Sequence, residues 1–129
     1  IWIESNRVSN SYLAEMSVLL LNQYLTISAP SLSIKRNLLL NHIAPQFIGY
    51  WQKQFAALEE KLKRDDIAMV FFTQAIEVDS KHLVVNISGE LQTLIHEVRM
   101  PIKLVRYQLH FQLHSGRLWL TTIEEIKHE

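Results

Sequence analysis

The spacing of apolar residues changes once along this 129-residue chain, from a helical period to the period of a β-strand. Before Arg64, apolar side chains recur every three or four residues, which is typical of amphipathic helices. After Asp66 they alternate with polar residues, which is typical of strands. The order predicts a single α+β domain over residues 1–129, with three helices packed on a four-stranded antiparallel sheet.

Capping residues and prolines set the limits of the predicted helices. The first begins near Ser9, the second covers residues 31–42, and the third follows Pro45 and ends at Arg64. Each helix has one apolar stripe, which we expect to face the sheet. The stripes contain Leu13, Met16, Leu20, Tyr24 and Ile27 in the first helix, Ile34, Leu38 and Leu39 in the second, and Ile48, Trp51, Phe55, Leu58 and Leu62 in the third.

Four strands are predicted, over residues 67–78, 83–95, 105–114 and 118–123, with turns at Asp79-Ser80-Lys81 and Ser115-Gly116. In the first strand, Gln74 interrupts a predicted buried face. That face contains Val70, Phe72, Ile76 and Val78, and the corresponding face of the third strand contains Val105, Tyr107, Leu109, Phe111 and Leu113. We expect Trp51 and Trp119 to pack between helix and sheet.

Composition and charge exclude several classes of protein. Thirteen basic residues balance thirteen acidic ones, so the chain has no electrostatic footprint for nucleic acid. It contains no cysteine, which excludes disulfides and thiolate chemistry. No apolar run approaches the roughly 18 residues of a membrane span. Because the chain begins at Ile1, we expect it to be a domain excised from a longer protein.

Few residues suggest chemistry, and we predict no catalytic, cofactor-binding or metal-binding residue. His110 and His114 lie four residues apart, but in a strand this spacing separates their Cα atoms by about 13 Å, too far to share one ion. Asp65 and Asp66 are neighbours whose side chains diverge, which favours a turn over a paired-carboxylate site. No serine lies in a Gly-x-Ser-x-Gly turn, and three glycines cannot form a phosphate-binding loop.

Three segments resemble a known family. They are residues 10–16 (NSYLAEM), residues 61–72 (KLKRDDIAMVFF) and residues 89–95 (GELQTLI). Together they resemble the TraE family of conjugative pilus assembly proteins, and the resemblance extends over residues 10–123. The Asn-Pro-x-Gly turn of VirB-type relatives is absent, because Pro30, Pro45 and Pro101 are followed by Ser, Gln and Ile. The dimer contacts associated with that turn therefore cannot be transferred.

The resemblance implies a fold and a role. The fold would be a nuclear-transport-factor-like cone, in which helices cover a curved antiparallel sheet. The protein would be an inner-membrane component of a Gram-negative type IV secretion system, with this domain in the periplasm and a membrane helix before residue 1. It would act as a non-enzymatic scaffold for pilus assembly and DNA transfer. Its partners would be other secretion components and a second copy, without direct contact to nucleic acid.

If the chain is such a scaffold, five residues are candidates for protein contacts. Leu19 and two further residues of the first helix lie off its main stripe, and two residues lie on the flank of the third helix. The predicted contact residues are Tyr12, Leu19, Gln23, Tyr50 and Gln54. Trp2 is a further exposed aromatic candidate.

The alternative is a small-molecule-binding or isomerase-like enzyme domain on the same cone-shaped fold. It requires a deep cavity between the sheet and the third helix, with Tyr107 or Gln74 as polar lining. A core filled by Phe55, Phe72 and Phe111 would exclude it.

Overall fold

The computed structural model describes residues 8–127. Three helices come first: α1 (Asn10–Leu25), α2 (Leu32–Leu40) and α3 (Ile48–Arg64), the last preceded by a 3-10 turn at Pro45–Phe47. Six strands lie among and after them. They are β1 (Ile27–Ser28), β2 (Ile67–Asp79), β3 (Val84–Ile95), β4 (Val98–Arg99), β5 (Lys103–His114) and β6 (Arg117–Glu125).

The strands form one antiparallel sheet in the order β1-β2-β3-β5-β6, and β4 pairs with β3. The sheet curls, and the helices pack against one of its faces, called the inner face here. The predicted α+β class, with three helices on a meander of four long strands, is confirmed. The prediction lacked the two-residue strands β1 and β4, which local sequence patterns rarely reveal.

Helix α1 begins where the capping residues predicted. The Ser9 hydroxyl accepts a hydrogen bond from the Tyr12 N–H at 3.3 Å, which satisfies one free donor of the first turn. The helix ends at Leu25, so Ile27 does not continue the apolar stripe. Ile27 is instead buried in β1 opposite Met69 of β2.

Helix α2 packs on a different face from the predicted one. Leu32 and Leu39 are fully buried, whereas Ile34 is 67% and Leu38 is 46% exposed. The prediction that Ile34 and Leu38 face inward is therefore wrong. Helix α2 has only nine residues, and its apolar side chains can be grouped into more than one stripe at helical spacing. The contact between α2 and α1 therefore decides which stripe is buried.

A β-bulge at Gln74 reverses the facing of side chains in the second half of β2. Thr73 lies opposite Gly89 and Ala75 opposite Ser88, so Gln74 is one extra residue. Before the bulge, Phe71 is buried on the inner face and Phe72 is exposed on the outer one. After it, Ile76 lies on the inner face. The predicted buried face with both Phe72 and Ile76 is therefore wrong, because an uninterrupted period of two cannot include a bulge.

Strands β3 and β5 follow their predicted alternation. Val85 and Ile87 of β3 are buried, and Val105, Tyr107, Leu109 and Phe111 of β5 are buried opposite the helices. Their outward residues are half-buried or exposed. Ser115 and Gly116 form the predicted hairpin with φ values of 53° and 75°, both in the left-handed region that tight two-residue hairpins need.

Aromatic side chains fill the space between α1, α3 and the sheet. Trp51 and Phe55 are buried on α3, and the Tyr24 ring meets the Trp51 ring edge to face at 5.3 Å. The core position predicted for Trp51 is confirmed. Trp119 is only half-buried and lies opposite Gln112 on the outer face, so its predicted core position is wrong.

Candidate interaction surfaces

Large apolar side chains are exposed on the outer face of the sheet, in register across three strands. Phe72 lies opposite Glu90, and Glu90 lies opposite Leu104. Phe72 is 54%, Leu104 68% and the nearby Ile102 54% exposed. We call Phe72, Ile102 and Leu104 the outer patch. Large exposed apolar side chains that lie close together on one face are typical of surfaces that meet another protein.

A second apolar surface lies where α1 passes the half of β2 that follows the bulge at Gln74. An open groove of about 490 Å³ lies between them, lined almost entirely by apolar atoms. Leu19 is 48% and Ile76 is 39% exposed in this groove. We call it the α1 groove, and its lining residues are Ala14, Glu15, Val18, Leu19, Asn22 and Ile76.

Three of the predicted contact residues lie on α1 in different environments. Leu19 lines the α1 groove. Tyr12 is half-buried and packs against the core cluster. Gln23 is half-buried, and its Oε1 is shielded from solvent without a hydrogen-bond partner among the described residues. Of the three, Leu19 offers the largest accessible apolar surface.

The other two predicted contact residues lie one turn apart on α3. Tyr50 is 46% exposed, and its ring meets the Trp51 ring edge to face at 6.0 Å. Gln54 is exposed beside it. The two helices approach each other here, because the Tyr24 ring of α1 meets the rings of Trp51 and Phe55 at 5.3 and 6.0 Å. Burial, and secondarily the nearby Tyr50, raises the pKa of Tyr24. Trp2 lies outside the described residues.

A pocket of about 230 Å³ lies beside Trp119 at the start of β6. Pro45 and Gln46 line it together with Gln112, His114 and Trp119. Arg117 stacks on the Trp119 ring at 4.0 Å, and its guanidinium donates a hydrogen bond of 2.8 Å to the Asn41 carbonyl. These contacts hold the β5–β6 hairpin against the end of α2.

The polar residues weighed as chemical sites are separate. His110 bonds to the Gln108 amide oxygen at 2.8 Å, while His114 lies at the exposed hairpin end. Asp65 caps the end of α3, and Asp66 takes a positive φ of 49° in the turn that follows. The predicted turn is confirmed. Among residues 8–127, no group of three or more His, Asp or Glu side chains is placed to hold a metal ion.

The polar lining proposed for an enzyme cavity is not brought together. Tyr107 is buried on the inner face, and burial, followed by the charge of Glu125, raises the pKa of its hydroxyl. Gln74 is exposed in the bulge. Of the three rings expected to fill the core, Phe55 and Phe111 are buried, but Phe72 is exposed and Phe71 occupies the interior instead.

The outer patch was missed by sequence reasoning, although a signal existed. Leu104 shares its parity with the polar residues Arg106 and Gln108, so it had to face outward if Val105 faced inward. Phe71 and Phe72 are adjacent, so one of them had to lie on the outer face. Apolar residues on both faces of a strand indicate a surface that needs a second partner.

The chain is similar in sequence to known proteins. The family model described as TraE protein matches residues 1–125. The Protein TraE of Escherichia coli strain K12 is 24% identical over 127 residues, which cover 98% of this chain and 68% of that protein. No helix within residues 8–127 is long and apolar enough to cross a membrane.

Solved structures share the fold at low identity. A TraE protein in complex with 2-chloroisonicotinic acid has a TM-score of 0.76 at 9% identity, covering 95% of this chain and 99% of that one. The soluble domain of TrwG from the type IV secretion machinery of Bartonella grahamii has a TM-score of 0.73 at 8% identity, with coverages of 94% and 99%. VirB8 of Agrobacterium tumefaciens has a TM-score of 0.66 at 11% identity, with coverages of 92% and 94%.

The family match extends over nearly the whole described chain and includes the three segments on which the resemblance rested. The structural neighbours bear TraE, TrwG and VirB8 names and have the same helices-on-sheet architecture. The chain belongs to the TraE protein family.

Proposed function

We propose that this chain is a non-enzymatic scaffold component of a conjugative type IV secretion system, contributing to pilus assembly and DNA transfer through protein–protein contacts. Membership of the TraE family supports this role. The fold shared with TrwG, described as part of type IV secretion machinery, and with VirB8 agrees with it.

The observation that carries the proposal is the outer patch. Phe72 and Leu104 flank Glu90 across three paired strands, and both residues are more than half exposed. A monomer gains nothing from holding such side chains in water, whereas burial against another protein is favourable by about 25 cal/mol per Å² of apolar area. A scaffold that acts through protein–protein contacts needs surfaces of this kind.

Location and partners follow from the same role. We place the domain in the periplasm, attached to the inner membrane through a helix before residue 1. Its partners would be other secretion components and a second copy of this chain. The five predicted contact residues remain part of the proposal, with Leu19 and Tyr50 the most accessible apolar ones among them.

A complementation experiment tests the proposal. The gene is deleted from the conjugative element that encodes it, and transfer is measured with wild-type protein or the double variant Phe72→Ser/Leu104→Ser. We expect deletion to abolish transfer and the double variant to restore it poorly. Ile34→Ser is the matched control, because Ile34 is an exposed apolar residue on α2, away from the outer patch. It should restore transfer fully.

Sedimentation equilibrium of the purified variants separates loss of contacts from loss of folding. The double variant should remain folded and associate less than the wild type across the same concentration range. Normal transfer after deletion would refute the proposed role. Normal transfer with the double variant would show that the outer patch is not needed for the proposed role.

A small-molecule site is the second candidate, because solved TraE structures contain pyridine carboxylic acids. The described pocket beside Trp119 combines an aromatic ring with His114 and lies next to Arg117. Titration of the chain with 2-chloroisonicotinic acid, observed at the Trp119 indole N–H by NMR, tests this candidate. Saturable shifts there would support it, and no shift at millimolar concentration would oppose it.

A further inference from the structure

The half of β2 that follows the bulge at Gln74 forms an edge of the sheet, with no described strand paired on the side away from β3. Strand β1 pairs only with Ala68 and Met69, and the Phe71 N–H donates to the Thr26 hydroxyl at 3.1 Å. Beyond Phe71, no described residue pairs with β2 on the side away from β3. Residues 74–77 are all exposed. Unpaired edges present main-chain donors and acceptors that another strand can use.

The register shows which main-chain groups face this open edge. In an antiparallel sheet, successive residues direct their N–H and C=O groups to opposite sides. Phe71 faces the β1 side, so Phe72 faces β3 together with its partner Glu90. Ser88 has the same parity as Glu90, so its partner Ala75 faces β3. The N–H and C=O groups of Ile76 and Val78 therefore point to the open edge.

The bulge at Gln74 also sets which side chains lie beside that edge. The one-residue shift places Ile76 and Val78 on the inner face, and Ile76 lines the α1 groove with Leu19. Glu77 and Asp79 lie on the outer face. An added strand would thus have an apolar surface on one side and two carboxylates on the other.

The two elements that border the edge, α1 and β2, carry charged side chains of one sign. Helix α1 and strand β2 together contain three acidic side chains, Glu15, Glu77 and Asp79, and no basic one. Glu15 lines the α1 groove. Two basic neighbours lie nearby, Arg106 at 3.7 Å from Glu77 and His82 at 2.8 Å from Asp79. The Glu77 and Asp79 side chains are 75% and 52% exposed in these pairs. Exposed ion pairs are weak, so both carboxylates stay accessible to a further cation.

We infer that residues 75–79 of β2 accept an extended segment of a partner polypeptide by strand addition, and that this segment alternates apolar and basic side chains. Its main chain would bond to Ile76 and Val78, its apolar side chains would enter the α1 groove, and its Lys or Arg side chains would meet Glu77 and Asp79. The inference rests on the proposed scaffold role, for which it names the chemistry of one partner.

The probe is an acetylated and amidated six-residue peptide that alternates Val and Lys, added to the full chain. Amide hydrogen exchange measured by NMR at Ile76 and Val78 is the readout, because a purely electrostatic encounter would not protect these amides. At a peptide concentration of ten times Kd, exchange at both should slow by about tenfold. A peptide alternating Val and Glu should give no protection.

Variants of the chain separate the parts of the site. Val78→Pro removes one edge donor without breaking the ladder to β3 and should weaken peptide binding by about tenfold. Leu19→Lys adds a positive charge, of the same sign as the peptide, to the α1 groove and should weaken peptide binding by a similar factor. Ile34→Ser, the matched control on the exposed side of α2, should leave binding unchanged.

Three results would overturn the inference. One is no protection at millimolar peptide. Another is protection of Ile76 and Val78 in the dilute free chain, which would show that the chain itself already covers the edge. The third is protection that rises with protein concentration alone, which would identify a second copy as the occupant. If the peptide fails to bind while deletion abolishes transfer as expected, only this inference is refuted. Normal transfer after deletion would refute the scaffold role instead.

Discussion

The indole N–H of Trp51 donates a hydrogen bond of 2.8 Å to the backbone carbonyl of Thr121, seventy residues later in the chain. Thr121 lies at the bulge of β6, where its hydroxyl donates to the His110 carbonyl at 3.0 Å. The bulge leaves a carbonyl free of the strand ladder, and Trp51 satisfies it. One buried bond thus fixes α3 to the last strand of the sheet.

Loss of this bond should destabilise the fold. In Trp51→Phe the Thr121 carbonyl remains buried without its donor and a cavity forms, so the free energy of unfolding should fall by about 2–4 kcal/mol. Urea unfolding followed by circular dichroism measures it. Trp119→Phe is the matched control on the half-exposed outer face and should cost less than about 1 kcal/mol. Equal losses in the two variants would contradict the structure.

Gly89 should not tolerate a side chain. A Cβ atom there would collide with the Phe72 carbonyl oxygen and lie 2.8 Å from Cζ of Phe71. Gly89→Ala should therefore destabilise the domain by about 1–3 kcal/mol. Gly49→Ala is the control, because a Cβ at that exposed position in α3 meets open space. It should stabilise the domain by about 0.5–1 kcal/mol. Thermal unfolding of both variants checks the opposite signs.

Two neighbouring leucines test the orientation of α2. Leu39 is fully buried and Leu38 is 46% exposed. Leu39→Ala should lower the free energy of unfolding by about 2–5 kcal/mol, because it leaves a cavity. Leu38→Ala removes the same atoms at the adjacent position and should cost less than about 1 kcal/mol. A larger loss for Leu38→Ala would restore the helix face predicted from the sequence.

His42 should make stability depend on pH. Burial, and secondarily the charge of Arg117, lowers the pKa of His42 below its usual value near 6.5. The unfolded chain therefore binds a proton at this residue more readily than the folded one, and stability should fall as the pH drops from 6.5 through the folded-state pKa. Above pH 6.5 the contribution is fully present.

The matched variant for this prediction is His42→Gln. Urea unfolding of both proteins between pH 8 and pH 5 should show that the wild type loses more stability on acidification than His42→Gln does. Arg117→Gln should reduce the effect only in part, because burial is the larger cause. Parallel pH profiles for wild type and His42→Gln would refute the assignment.

Local patterns were sufficient wherever one face of an element is buried along its whole length. The stripe of α3 and the alternation of β3 and β5 gave the correct inward faces, including Trp51, Ile87 and Leu109. Each of these elements presents its apolar residues at the period of its own backbone, so the signal does not depend on distant residues.

The candidate surfaces were less accessible to such reasoning. Leu19 could be identified because it lies off the stripe of α1, but the groove around it also needs Ile76 of β2, which is brought there by strand pairing. A single period of two along β2 predicts that Phe72 and Ile76 share one face. The bulge at Gln74 adds one residue between them, so they lie on opposite faces.

The sequence by itself determined the type and order of the elements, their caps and turns, and the family, because these depend on spacing and identity along the chain. The tertiary structure decided which stripe of α2 is buried, that Gln74 forms a bulge, and that residues 75–79 lie at an open edge. These features depend on the register between β2 and β3 and on the packing of helices. Contacts between residues far apart in the chain set both, and no local period records them.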